Sequence, residues 1–160
     1  MKILLITHYI PEYTEGYYYV VDFKRMGVDI DYFDYRKNYM LLEGNIFLQK
    51  INKKLMNKML IKKALAFNPE ILFILKGELI YPETLKEIKN RLPAIKIVFR
   101  TGDDPTKFYH IYRSIPIYDY IFLPEPYWVE NLKKCGKKNV YYVPFGFHPD
   151  VHRPYDKKNI

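Results

Sequence analysis

Along this chain short apolar runs alternate with stretches of helical spacing, and no hairpin-type turn joins two runs directly. Strands joined by helices must lie parallel, with right-handed crossovers, so the order alone confines the chain to very few topologies. Lys2 to Thr7 reads as a buried strand, and Gly16 to Met26 as a helix ended by Gly27. Val28 to Tyr35 alternates as a second strand. From Asn45 to Phe67, two apolar rows (Leu48, Ile51, Leu55, Met59 and Met56, Leu60, Ala64) recur at helical spacing, which predicts one long amphipathic helix stopped by Asn68-Pro69. Ile71 to Leu75 is a continuous apolar run of the kind that fills a central parallel strand, and Pro82 opens a helix to Arg91. Ile95 to Phe99 follows as a strand, and Asp104-Pro105 is expected to start a short helix reaching Arg113. Tyr120 to Leu123 is the next strand, Pro126 to Lys134 a helix capped by Gly136, and Val140 to Val143 the last strand. The predicted fold is a three-layer Rossmann-like α/β domain over residues 1–146: an open parallel sheet of about six strands with helices on both faces. Pro144 to Pro154 holds three prolines and one glycine, so residues 147–160 read as an interdomain linker or tail.

The totals agree with one domain of this kind. A chain of 160 residues with 49% hydrophobic and 28% charged residues can bury a core, and its composition excludes a disordered protein. No apolar run approaches the roughly 20 residues that cross a bilayer, and Met1 to Ile6 is too short for a secretory signal. Cys135 is the only cysteine, so neither an internal disulfide nor a multi-cysteine metal site can form, which fits a reducing, cytoplasmic setting. The net charge of +8 favours anionic partners, and the abundance of Lys, Ile and Tyr is a bias that accompanies life at high temperature.

In doubly wound sheets ligands bind beyond the carboxyl ends of the strands, and the residues there are polar in this chain. Thr7 and His8 follow the first strand, Lys76-Gly77-Glu78 the third, Arg100 to Asp104 the fourth, and Glu125 the fifth. His8 has the chemistry of a general base, with Asp103 or Asp104 available to hold its imidazole in one tautomer. The plainer alternative makes His8 a loop residue and the aspartates helix caps. Lys76-Gly77-Glu78 suits contact with a sugar or a structural turn equally well. Thr7-His8-Tyr9-Ile10-Pro11-Glu12 stands where a G-x-G-x-x-G loop would be, which disfavours a dinucleotide cofactor. His148, Asp150 and His152 alternate near the end, but that spacing is a weak metal signal, and no metal is expected. Cys135, before Gly136, reads as structural. Lys50, Lys53, Lys54, Lys58, Lys62 and Lys63 crowd the long helix, as either a solvated outer face or a docking face for an anionic membrane or phosphorylated acceptor. The 17 tyrosines are dispersed and form no nucleic-acid motif, so nucleic acid is disfavoured as a partner.

Several segments together carry a resemblance: Phe67-Asn68-Pro69-Glu70-Ile71, Lys76-Gly77-Glu78, Asp103-Asp104-Pro105, Tyr118-Asp119-Tyr120-Ile121-Phe122, and Val143-Pro144-Phe145-Gly146-Phe147-His148-Pro149 with His152-Arg153-Pro154. The chain resembles, over essentially its whole length, the amino-terminal half of GT-B glycosyltransferases, and is most similar to their CgeB-like, spore-maturation branch. The closing proline and glycine pattern is the most specific part; in that family it marks the crossing to the second Rossmann-like domain. The resemblance implies an acceptor-binding half, with a nucleotide-sugar donor bound by a second domain outside this chain, and no turnover of a nucleotide sugar by the chain alone. It also implies His8 as base, Asp103 or Asp104 as its orienter, and Thr7, Lys76, Gly77, Glu78, Arg100, Glu125, Phe145 and Gly146 as contacts for acceptor or donor. The alternative is a free-standing basic Rossmann-like module that binds an anionic ligand or partner without chemistry.

Overall fold

In the computed structural model, which describes residues 1–39, 45–146 and 148, a buried strand β1 (Lys2–Thr7) is paired in parallel on both sides. The chain then runs through α1 (Glu15–Arg25), β2 (Asp29–Asp34), α2 (Ile46–Phe67), β3 (Ile71–Leu75), α3 (Pro82–Arg91) and β4 (Lys96–Arg100). It continues with α4 (Tyr109–Ser114), β5 (Tyr120–Leu123), α5 (Pro126–Lys134) and β6 (Val140–Tyr142). All six strands are parallel, in the order β2-β1-β3-β4-β5-β6. The expected three-layer α/β sheet is therefore the fold, and the tail from residue 147 lies outside the described residues except for His148.

This order fixes where the helices go. From β1 the chain steps to one side to reach β2, then crosses back and keeps moving the other way through β6. With right-handed crossovers, α1 must lie on one face and α2 to α5 on the other. The cores match. Ile3, Leu5, Ile30, Phe73 and Leu75 pack with Val20 of α1. Leu4, Ile6, Leu72, Ile74, Ile97 and Phe99 pack with Met56 and Leu60 of α2, Leu85 and Ile88 of α3, Ile111 of α4 and Val129 of α5. The α1 layer covers only part of its face, so Tyr120 and Tyr141 of the last two strands are exposed there.

Local chemistry sets the element ends. The Asn45 side chain accepts hydrogen bonds from the amides of Phe47 and Leu48 and so caps α2, while Asn68 takes the left-handed conformation (φ 50°) that ends it before Pro69. The expected helix from Asp104 begins only at Tyr109. Asp104 Oδ1 accepts from both the amide and the hydroxyl of Thr106, at 2.8 and 2.7 Å, and this side-chain turn competes with a helical first turn. Of the two apolar rows on α2, only Met56, Leu60 and Ala64 is buried; Leu48, Ile51, Leu55 and Met59 face outward.

Two polar clasps hold the helical layer in register. Buried Asn57 of α2 donates to the carbonyls of Lys53 and Leu79, and its oxygen accepts from the Tyr81 amide and the Thr84 hydroxyl, at 2.9 and 2.8 Å. Asp119, just before β5, accepts from Lys89 of α3 and from the amide of Ile97; against a burial effect that acts upward, these donors hold its carboxyl below the ordinary range. Replacing Asn57 by alanine strands a buried amide and hydroxyl at the start of α3, and the expected loss is about 2–3 kcal/mol in chemical denaturation. A loss below about 0.5 kcal/mol would show that the clasp does not hold α2 to α3.

Candidate functional site

The sheet reverses its direction of growth at β1, and in open α/β sheets such a reversal leaves a crevice beyond the carboxyl ends of the flanking strands. A cavity of about 410 Å³ lies there, lined by residues that follow β1, β2, β3 and β4 together with the first turn of α1. The close approach of α1 depends on Gly16: a Cβ at that position would come within 2.3 Å of Thr7 Oγ1 and 2.7 Å of the His8 carbonyl oxygen. Any side chain there would push the helix off the end of β1.

Thr7, His8, Lys76, Arg100, Asp103 and Phe145 all line this cavity, so the strand-end rule brings most of the sequence-derived candidates to one place. The expected pairing of His8 with Asp103 or Asp104 is not formed. His8 Nδ1 stands 3.5 Å from Asp34 Oδ1 at the end of β2. Asp34 is only 6% exposed, and its carboxylate also accepts the amides of Tyr9, Arg36 and Lys37 at 3.2, 3.0 and 3.0 Å. An ionised carboxylate can only accept, so it favours the tautomer with the proton on Nδ1 and leaves Nε2 able to take one. Asp103 instead pairs with Lys76 at 2.8 Å, and Asp104 is engaged in its turn with Thr106.

The remaining candidates divide. Glu78 is not open to a ligand: it accepts from Tyr35 Oη at 2.6 Å and from Arg36 at 2.9 Å, tying the end of β2 to the end of β3. Burial, reinforced by the bond to Glu78, pushes the Tyr35 phenol well above its ordinary range, so it stays a donor. Gly77 has φ 69° and carries the turn after β3. Glu125 is exposed at the start of α5, away from the cavity, and Gly146 lies one residue past its rim. Arg100, 8% exposed, reaches Glu15 at 3.5 Å and donates to the carbonyls of Val143 and Pro144, so it draws the segment after β6 back over the site. Phe145 lies above Gly102, where a Cβ would meet its ring at 2.8 Å. His148 stands 3.4 Å from Asp22 of α1; Asp150 and His152 lie outside the described residues, as do Phe147 and Pro149.

Asp34, Tyr35, Arg36 and Glu15 are the members of the site that sequence reasoning passes over. Asp34 ends β2 as Thr7 ends β1 and Arg100 ends β4, so its position was legible from the strand rule; that it orients His8 depends on β2 lying beside β1. Among the described residues each lysine and arginine lining the cavity faces an anion, Arg36 with Glu78, Lys76 with Asp103 and Arg100 with Glu15, while His8 stands against Asp34. Glu15 also sits in the first turn of α1, where the helix dipole would otherwise draw a phosphate. A second cavity, of about 850 Å³, opens between the β2 edge and α2 and is lined in part by Asp34, the partner of His8.

No protein-family model matches the sequence, and no curated protein is similar enough to indicate kinship.

Lys76 adopts the left-handed conformation (φ 66°), a strained choice for a side chain other than glycine, and such strain gathers at ligand sites. Lys76→Gly relieves about 1 kcal/mol of backbone cost and forfeits a half-exposed ion pair worth about 1 kcal/mol. Chemical denaturation should therefore find the variant within about 1 kcal/mol of the parent. A loss above about 2 kcal/mol would mean that Lys76 is held for stability rather than for the site.

Proposed function

We propose that this chain is the acceptor-binding half of a glycosyltransferase, in which a sugar passes from a nucleotide-sugar donor to an acceptor hydroxyl held in the switch-point cavity. The observation that carries the reading is the ring of compensated charges. Hydroxyl groups of a neutral sugar need many fixed donors and acceptors, and paired side chains offer both without demanding a charged ligand. A nucleotide's phosphates would need uncompensated cations or an open helix N-terminus, and Glu15 takes that position on α1.

On this reading His8 Nε2 removes the proton from the acceptor hydroxyl as its oxygen bonds to the anomeric carbon. The bond from that carbon to the diphosphate breaks, and the electron pair leaves with the nucleotide. Asp34 keeps His8 in the useful tautomer and stabilises the imidazolium that forms, with its own position fixed by three backbone amides. Lys76 and Asp103 would contact acceptor hydroxyls from across the cavity. The donor is bound by a second domain, and Phe145 and Gly146 stand on the path toward it. The resemblance to the CgeB-like branch of GT-B enzymes supports the same assignment.

Calorimetry on the 160-residue chain should detect weak binding of neutral oligosaccharides and no tight binding of nucleotide sugars. In a form joined to a donor-binding domain, His8→Gln should lower transfer by about 10²–10⁴ while leaving oligosaccharide binding largely intact. Micromolar binding of a nucleotide by the chain alone would overturn this assignment in favour of a free-standing nucleotide-binding module.

A further inference from the structure

The outward face of α2 is unlike the rest of the surface. Phe47 is 70% exposed, Leu48 38%, Ile51 37%, Leu55 52% and Met59 48%. Positions 48, 51, 55 and 59 follow one another at intervals of three and four, so they form a single stripe along the helix, opposite the row that packs on the sheet. Exposed Lys50, Lys54, Lys58 and Lys62 border or interrupt the stripe, and α2 contains no Asp or Glu. Among the described residues no carboxylate is paired with any of these four lysines, whereas Lys63, nearer the β2 edge, is paired with Asp31 at 2.7 Å. Contiguous exposed apolar surface of this kind is rare on monomers and marks a docking face.

We propose that this face of α2 docks on an anionic bilayer surface, with the Leu48–Ile51–Leu55–Met59 stripe in the headgroup–acyl boundary and the flanking lysines on lipid phosphates. The charge pattern selects this occupant. A second copy would set one acid-free, lysine-bearing helix against another, and the like charges would repel across the contact. An anionic leaflet supplies the missing negative charge and an apolar layer together, and a basic helix with an apolar face lies in the plane of such an interface. The position on the fold adds a consequence. α2 descends from the end of β2 to the start of β3, so its apolar N-terminal half sits at the sheet edge that carries the His8 cavity. Docking would bring the cavity mouth near the membrane surface, where an acceptor borne by a lipid could reach it. The docking itself stands whether or not the transfer reading holds.

Vesicle co-sedimentation of the full chain tests it. Vesicles containing phosphatidylglycerol should bind the protein at least about tenfold more strongly than phosphatidylcholine alone, and added salt should weaken the binding. The double variant Ile51→Ser/Leu55→Ser should lose about tenfold or more of that binding with an unchanged melting temperature, since both side chains are exposed. Lys54→Gln/Lys58→Gln should reduce binding to the anionic vesicles and flatten its salt dependence. Equal binding to both vesicle types, no binding to either, or binding that both double variants retain would overturn the proposal. So would a dimer in sedimentation equilibrium that the serine variant splits without any vesicle binding, which would make the stripe an interface between copies.

Discussion

Strand β1 sits between two parallel neighbours that lead away in opposite directions, and everything functional in this domain is arranged around that reversal. Right-handed crossovers send α1 to one face and the other helices to the opposite face, so the loops after β1 and β3 are drawn apart and a crevice opens between them. The crevice is polar because the strands end in Thr7, Asp34, Leu75 and Arg100, three of which are polar groups buried at the sheet edge. Buried polar groups of this kind must be paired: Thr7 donates to the His8 carbonyl, Asp34 meets His8 and three backbone amides, and Arg100 reaches Glu15 and the carbonyls of Val143 and Pro144. Packing alone would have been served better by apolar strand ends.

The periodicities that determine the sheet are local, which is why most of the architecture could be read from the residues. β1, β3, α3 and α5 fall where their apolar spacing, Pro82, Pro126 and Gly136 put them. Three features were not legible, each for a tertiary reason. The delayed start of α4 comes from a side-chain turn at Asp104 that outcompetes helix propagation. On α2 both apolar rows have helical spacing, and only the packing of α2 against the sheet and α3 decides that Met56, Leu60 and Ala64 go inside. The partner of His8 is Asp34 rather than Asp103 or Asp104, because spatial neighbours at a sheet edge follow strand order rather than distance along the chain.

Two surfaces of opposite character thus share one end of the molecule. Inside the crevice, Arg36, Lys76 and Arg100 are each matched by a carboxylate. On α2, Lys50, Lys54, Lys58 and Lys62 have no carboxylate paired with them among the described residues, and the apolar stripe beside them faces solvent. The +8 net charge of the chain therefore belongs in good part to a face separate from the crevice, and a basic total does not by itself make the crevice an anion site.

The central claim is that a polyhydroxylated ligand occupies the switch-point crevice. Backbone amide NMR of the isotopically labelled chain, titrated with a neutral oligosaccharide that calorimetry shows to bind, tests it most directly. The account predicts shifts concentrated at Thr7 and His8, at Tyr35 and Arg36, at Leu75 and Lys76, and at Thr101 to Asp103, the segments that surround the 410 Å³ cavity. Shifts confined to the exposed Tyr120 and Tyr141 face, or spread without a centre, would contradict it.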